Sequence, residues 1–314
     1  MSYKFSFSEY SRSFSSPLKT SHGSWELREG IIIHLADDTG KEYNGEIAPI
    51  PWFGSESLSA ALSFCQQLPS QITMEMIYAI PDELPACQFG FESALFDEKE
   101  AANLKFCGLL PTGKAALSVG EGLEKYDTWK WKIAVGEVEE ELEILDLLIE
   151  TLPKTAKLRL DANGGLSYDA ASIWLERCEA LLGKIEFIEQ PLPVWEFEKT
   201  LGLSRCYCSA IALDESVASL RDLASCYEGG WRGIFVIKPG IIGSPSRLRR
   251  FLRENPLDVV FSSVFETSVG RKAALQLAGE LSHPGYAVGF GVNHWFTTET
   301  FGGLRLPNSF QENV

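Results

Sequence analysis

From residue 107 onward the hydrophobic positions gather in short runs, and the stretches between them carry apolar residues every three or four positions. The runs at 107–110, 129–135, 157–161, 184–189, 211–214, 233–238, 259–263 and 287–290 read as strands. The amphipathic stretches at 115–125, 138–151, 167–182, 194–204, 217–227, 246–253 and 269–281 read as the helices between them. Strict alternation of this kind predicts β-α-β units around a parallel sheet, and the count predicts a (β/α)7β TIM-like barrel in an α/β chain. The first hundred residues have another texture. Strands are expected at 3–7, 30–35 and 42–47 and helical pattern at 57–67 and 89–103, which together make an α+β capping domain. The segments 16–24 and 48–54 are rich in Ser, Pro, Gly and aromatic residues and are expected as loops that cover something. The predicted division is a cap over residues 1–104, completed by the C-terminal segment 293–314, and a barrel over 105–292.

Composition supports this picture and removes some functions. A chain of 314 residues that is 45% hydrophobic can bury a large core. With 28 Lys+Arg against 43 Asp+Glu the net charge is -15, so a broad basic surface for nucleic acid is not expected. No apolar run approaches the roughly 18 residues of a membrane span, and the N-terminus lacks the apolar core of a signal peptide. A cytoplasmic location is the expectation, and the sequence sets no oligomeric state. Seven cysteines form neither a disulfide framework nor paired C-x-x-C spacing. Cys206 and Cys208 are expected as small buried hydrophobes rather than metal ligands.

The ends of the predicted strands carry the chemistry. In 129–133, W-K-W-K-I, the two-residue period puts Lys130 and Lys132 on one face and the tryptophans on the other. In 157–163, Lys157, Arg159, Asp161 and Asn163 share a face, while Leu158 and Leu160 pack outward. The next three strands end on Glu189, Asp214 and Lys238. Each step from Lys132 to Asp161, Glu189, Asp214 and Lys238 is one βα unit, so five strands deliver Lys, Asp, Glu, Asp and Lys at one height around a barrel mouth. Singly, each has a plain explanation: K-x-K as a solvated face, D-A-N-G as a turn, Asp214 or Ser216 as a helix cap. Together they flank buried strand residues such as Ile133, Leu160 and Ile237, where unpaired charge costs several kcal/mol. Three adjacent carboxylates repel unless a hard cation sits among them, and their oxygens suit Mg²⁺. Two lysines across such a cation suit removal of a proton next to a carboxylate, with Lys132 as the base and Lys130 as its tuner, because a second ammonium disfavours charge on the first.

This constellation resembles the enolase superfamily, in its muconate-lactonizing type of subgroup. Within that superfamily the chain is most similar to the o-succinylbenzoate synthase family, over nearly its whole length. The likeness is carried by P-L-K-T-S-H-G at 17–23, G-E-I-A-P-I-P at 45–51, L-R-L-D-A-N at 158–163, E-Q-P at 189–191, D-E-S at 214–216, I-K-P at 237–239 and F-S-S-V-F-E-T at 261–267. The resemblance implies that Asp161, Glu189 and Asp214 hold Mg²⁺ and that Lys132 and Lys238 form the catalytic pair. It implies syn dehydration of 2-succinyl-6-hydroxy-2,4-cyclohexadiene-1-carboxylate to 2-succinylbenzoate, a step toward menaquinone or phylloquinone. N-acylamino acid racemisation, dipeptide epimerisation and muconate cycloisomerisation use the same kind of site and remain open alternatives.

A dianionic small-molecule substrate needs local positive charge in an acidic protein. Besides the lysines, Arg159 is a candidate contact, or else a structural partner of Asp161. Asn163, the hydroxyls of Ser262 and Ser263, and Gly289 in the last strand are further candidates, alongside packing roles. Lys19 and Thr20 in the first cap loop, with the segment after Pro51, are expected to close the mouth. The histidines His22, His34, His283 and His294 are scattered, which disfavours a histidine base.

Overall fold

The computed structural model describes residues 2–20, 23–97, 103–292, 296, 300–301 and 304–305, with the backbone alone at 19–20, 121, 300–301 and 304–305. The N-terminal part is built on a long antiparallel hairpin, β1 (Ser2–Thr20) with β2 (Gly23–Ala36), whose register shifts between Ser13 and Leu18. β3 (Glu42–Ile47) pairs with β2 and β4 (Gln71–Thr73) with β1. The predicted 3–7 strand therefore continues through most of the segment expected as a loop at 16–24. Serines alternating with Tyr10, Arg12 and Phe14 keep the period of two, so the polar composition marked a solvated strand face.

Two helices support the sheet. Leu58–Gln67 starts where Ser57 accepts the Ala60 N–H, as the pattern predicts. The second runs Pro85–Ala94, earlier than the expected 89–103. Proline suits a first turn, and the buried first-turn amides of Ala86 and Cys87 donate to the carboxylate of Glu56, some thirty residues upstream. Residues 98–102 of that expectation lie outside the described residues. This helix crosses β3 backbone to backbone: a Cβ on Gly45 would stand 2.0 Å from the Gly90 carbonyl oxygen.

Seven parallel strands follow, each paired with its sequence neighbour: β5 (Cys107–Leu109), β6 (Thr128–Lys132), β7 (Lys157–Asp161), β8 (Ile185–Glu189), β9 (Ile211–Leu213), β10 (Ile234–Ile237) and β11 (Val259–Phe261). The predicted eighth strand at 287–290 is reduced to two parallel bridges, Phe106 with Val288 and Ser262 with Gly289, which join β11 back to the start of β5. The barrel is closed by that short segment. Helices Val138–Thr151, Tyr168–Ala180, Phe197–Cys206, Leu220–Glu228, Pro245–Glu254 and Ser268–Leu281 lie where the pattern puts them. The helix expected at 115–125 is instead two 3₁₀ turns, Gly113–Ser118 and Gly120–Lys125, because Gly113 and Gly120 adopt positive φ and break an α-helical path. A short helix, Pro239–Ile242, begins directly after Lys238.

Two apolar layers organise the barrel. Trp131, Leu158, Leu160, Ile188, Leu213 and Phe235 point outward and pack with helix residues such as Leu145 and Trp174. Phe187, Ala212, Ile234, Val236 and Val260 fill the interior. Cys65, Cys87, Cys107, Cys178 and Cys226 are buried, whereas the burial expected of Cys206 and Cys208 does not hold. Both are exposed, at and just past the end of helix Phe197–Cys206, whose buried residues are Thr200, Leu201 and Leu203. No helix among the described residues is long and apolar enough to cross a membrane.

The N-terminal sheet is joined to the barrel by polar groups fully removed from water. Glu46 on β3 is 0% exposed, and its carboxylate accepts from the Tyr10 hydroxyl (2.5 Å), the Thr267 N–H (2.9 Å) and the Gly270 N–H (2.8 Å). It thus caps helix Ser268–Leu281 across the two layers. Beside it the Arg28 guanidinium donates to the carbonyls of Val264, Pro49 and Ala48, tying the 261–267 segment to the loop after β3. Glu46→Ala leaves several buried donors without an acceptor at about 1–3 kcal/mol each. A fall in melting temperature larger than that of an ordinary surface substitution is expected in a thermal melt, and an unchanged melt would contradict this bridging role. The strand β12 (Thr300–Phe301) pairs with β1, and β13 (Leu304–Arg305) pairs with β12, so these residues of the 293–314 segment extend the N-terminal sheet.

Candidate active site

Strand register brings the charged residues together. Lys132 pairs with Asp161 and Asp161 with Glu189, one row across β6, β7 and β8. That row continues to Ala212, two residues before Asp214, and to Ile234, four before Lys238. The charges climb along the pairing rows rather than keeping one register, which is the stagger that tilted strands impose on a closed barrel. Past each of the first three tips the chain turns through a left-handed residue: Ala134, Asn163 and Gln190 have φ of 61, 43 and 39 degrees. Such conformations cluster where the surroundings over-determine the backbone.

The side chains form ion pairs within this mouth. The Lys130 ammonium stands 2.7 Å from Asp161 Oδ2 and 2.8 Å from Glu189 Oε1. Lys238 Nζ donates to Asp214 Oδ1 and lies 3.9 Å above the Phe53 ring, so the cap segment after Pro51 covers the mouth at this point. Lys132 is half-buried and makes no ion pair with a described residue. β6 and β10 lie four strands apart either way around the closed barrel, so Lys132 and Lys238 face each other across it.

Burial and mutual repulsion govern the titration of these groups. Glu189 is pushed up to about 7, by burial first and then by Asp161 and Asp214, against the pull of Lys130. Asp214 is pushed up to about 6 by burial, with Lys238 opposing and Glu215 adding to the rise. Burial also acts to raise Asp161, but Lys130 outweighs it and holds that carboxyl below its usual value. For Lys130 burial favours the neutral form, yet Asp161, Glu189 and Asp214 together keep it well above the ordinary lysine range.

The raised carboxyls have a consequence for stability. A carboxyl whose folded value lies above its unfolded one contributes most below the unfolded value, and that contribution is lost as pH rises through the folded value. The window runs from about 4 to about 6 for Asp214 and to about 7 for Glu189. Asp161 acts in the opposite sense, and only below its usual value. Metal-free protein is therefore expected to melt at lower temperature at pH 7.5 than at pH 5, with a smaller difference in Glu189→Gln. A profile that is the same in both proteins would contradict the assignment.

With this geometry in view, comparison with known proteins is direct. Residues 5–98 match the family model described as MenC, N-terminal domain, and residues 114–307 match Enolase C-terminal domain-like. The o-succinylbenzoate synthase of Thermosynechococcus vestitus is 41% identical over 302 residues, covering 91% of each chain. This chain belongs to the o-succinylbenzoate synthase family. A crystal structure of the o-succinylbenzoate synthase from Thermosynechococcus elongatus BP-1, complexed with Mg in its active site, superposes with a TM-score of 0.87 at 39% identity, covering 94% of each chain. The L-Ala-D/L-Glu epimerase of Bacillus subtilis shares the fold, with a TM-score of 0.80 at 18% identity over 94% of this chain and 91% of its own.

In this o-succinylbenzoate synthase relative, several sequence candidates take places other than those expected. Arg159 is 2% exposed and lies one layer below Asp161. Its Nε donates to Glu186 Oε2 at 2.5 Å, and the guanidinium is 4.7 Å from the Phe187 ring centre. Its partner is therefore Glu186 rather than Asp161, and its Nη2 is buried without a hydrogen-bond partner among the described residues. Ser263 is also engaged: its hydroxyl donates to Glu266 Oε2 and accepts the Phe265 N–H, which shapes the turn after β11. Ser262 is half-buried beside Gly289, where a Cβ would come within 2.8 Å of the Ser262 oxygen. Asn163 positions its neighbours, its N–H donating to Asp161 Oδ1 and its amide to Glu215 Oε1. The side chains of Lys19 and Thr20, together with His22 and His294, lie outside the described residues. His34 is on the N-terminal sheet, bonded to Ser8 and Asn44, and His283 is near Asp258, remote from the carboxylates.

The structure adds residues that the sequence reading did not single out. Gln190 and Glu215 stand next to Glu189 and Asp214, inside motifs already noted as E-Q-P and D-E-S. An aromatic cluster of Phe14, Trp25, Trp52 and Phe265 joins the hairpin, the segment after Pro51 and the turn after β11. Only the aromatic run at 52–53 hinted at it.

The donor set fits a hard divalent cation. Asp161, Glu189 and Asp214 offer only carboxylate oxygens, and Glu215 Oε2 is buried without a hydrogen-bond partner among the described residues. Among those residues no three acidic, histidine or cysteine side chains already converge in metal-holding geometry. The Lys130 and Lys238 ammonium groups supply the counter-charge between and beside the carboxylates instead.

Proposed function

We propose that this protein dehydrates 2-succinyl-6-hydroxy-2,4-cyclohexadiene-1-carboxylate to 2-succinylbenzoate, with Asp161, Glu189 and Asp214 as Mg²⁺ ligands and Lys132 and Lys238 as the catalytic pair. The observation that carries the reading is the opposition of two lysines across a barrel mouth where three adjacent strands each deliver a buried carboxylate. The remaining parts of the proposal are a cap of residues 1–104 completed by 293–314, a catalytic barrel over 105–292, a cytoplasmic location and no role for nucleic acid.

In this mechanism Lys132 Nζ, free of ion pairs with described residues, takes the proton from the carbon beside the ring carboxylate. The C–H electron pair passes onto the carboxylate as an enediolate and then forms the new ring double bond as the C–O bond to the hydroxyl breaks. The Lys132 ammonium returns its proton to the departing oxygen on the same face, and water leaves. Gain of aromaticity makes the loss downhill. Lys238 supplies fixed positive charge on the opposite face, where negative charge develops. Its contact with Phe53 keeps water from that side of the mouth. Mg²⁺, which Asp161, Glu189 and Asp214 would hold, would supply electrostatic stabilisation of the negative charge that develops there. Lys130 takes a different part from that of a simple tuner of Lys132, because its charge is already balanced by Asp161 and Glu189. It acts chiefly on the carboxylates. The substrate is a dianion, and its binding relies on these local cations against an overall charge of -15.

Turnover of the hydroxycyclohexadiene carboxylate should stop in EDTA and return when Mg²⁺ is restored. Undiminished turnover in EDTA would remove the metal from the account.

A further inference from the structure

Gln190 is 1% exposed and uses every hydrogen-bonding group that it has. Its side-chain Oε1 accepts the backbone N–H groups of Asp214 and Ser216, each at 3.1 Å. Its Nε2 donates to the Leu192 carbonyl and to Ser216 Oγ, both at 2.9 Å. The main chain is committed as well: the Gln190 N–H donates to the Ala212 carbonyl at 2.8 Å, and its carbonyl accepts the Gly164 N–H at 2.7 Å.

These six bonds reach three strand tips. Gly164 follows the Asp161–Asn163 turn after β7, Gln190 itself follows Glu189 on β8, and Ala212, Asp214 and Ser216 bracket the tip of β9. One residue thus touches the backbone that carries each of the three carboxylates. It does so at φ of +39 degrees, a conformation that a non-glycine residue adopts only where its surroundings require it. The next residue is Pro191, so helical backbone at Gln190 is disfavoured and the chain cannot relax into a helical start here.

We infer that Gln190 is the positioning residue of the metal site, which sets the spacing of Asp161, Glu189 and Asp214 by locking the tips of β7, β8 and β9 to one another. This rests on the reading of those carboxylates as Mg²⁺ ligands. Gln190 does not ligate the ion, because both polar ends of its amide are occupied by the protein. It acts through the ligands, and partners of this kind typically govern metal affinity by 10–100-fold. Methionine at this position keeps the volume and removes all four side-chain bonds. Asparagine keeps the amide but is one methylene too short to reach both the Asp214 and Ser216 N–H groups.

The test is calorimetric titration of metal-free full-length protein with MgCl₂ alone, for wild type, Gln190→Met, Gln190→Asn and a control, Gln88→Met. Gln88 is also buried, and its amide bonds Ile80, Asp82 and Ser244 between the N-terminal helix and the barrel, away from the carboxylates. The control loses comparable buried bonds, so it reports what general destabilisation does to binding. The expected result is a Kd raised at least about tenfold in both Gln190 variants and unchanged within twofold in Gln88→Met. If Gln190→Met does not fold, Gln190→Asn alone carries the comparison. A Gln190 variant that binds Mg²⁺ as tightly as wild type, or a control that weakens binding equally, overturns the inference. Wild-type protein that binds no Mg²⁺ overturns the ligand reading itself, and the inference with it.

Discussion

Lys132→Ala is expected to lower kcat by about 10³-fold while leaving Mg²⁺ affinity near that of wild type. The factor is the middle of the range for a positioned general acid or base, and here one group is asked to act in both senses. Metal affinity should persist because Lys132 makes no ion pair with a described residue, whereas Lys130 bridges Asp161 and Glu189. Lys130→Ala should therefore move both metal binding and turnover, and Lys132→Ala turnover alone. Steady-state kinetics with parallel Mg²⁺ titration separates them. Equal losses of affinity in the two variants would undo this division.

Removing one carboxylate should cost at least about a hundredfold in kcat, because the metal offsets several kcal/mol of developing charge. The effect on the metal-free fold should differ among the three positions. Glu189→Gln removes a carboxyl that burial pushes up to about 7, and Lys130 keeps Asp161 as its partner, so stability above pH 6 should hold or rise. Asp214→Asn leaves the Lys238 ammonium, only 13% exposed, without its counter-charge. Loss of a carboxylate that burial itself disfavours offsets part of that cost, so this variant should be less stable than Glu189→Gln. Thermal melts in EDTA at pH 7.5 distinguish the two, and destabilisation of both to the same degree would mean that the pairing pattern is misassigned.

The barrel was readable because its strands are short apolar runs of one βα spacing, and because inward charge at the tips breaks that pattern only where burial is least tolerant of it. Lys132, Asp161, Glu189, Asp214 and Lys238 were found for this reason. What the sequence withheld depended on distant partners. The start of helix Pro85–Ala94 is set by Glu56 rather than by its own periodicity, and residues 18–20 are held extended by pairing with residues 23–25 of β2. The carboxylates that Arg159 and Ser263 bond, Glu186 and Glu266, were likewise not legible in the strand pattern. Gln190 has no periodic or charge signature at all. Its importance lies in which backbone groups the fold brings within reach of its amide.

The most direct measurement is conversion of 2-succinyl-6-hydroxy-2,4-cyclohexadiene-1-carboxylate by the purified protein with Mg²⁺ in deuterated buffer, followed by NMR, alongside N-succinylamino acids of each hand. The account predicts rapid formation of 2-succinylbenzoate, because one lysine on one face suffices for syn dehydration. Slow or absent dehydration, together with rapid α-proton exchange from both enantiomers of the amino acid, would show that Lys132 and Lys238 both exchange protons with one carbon and that racemisation is the activity.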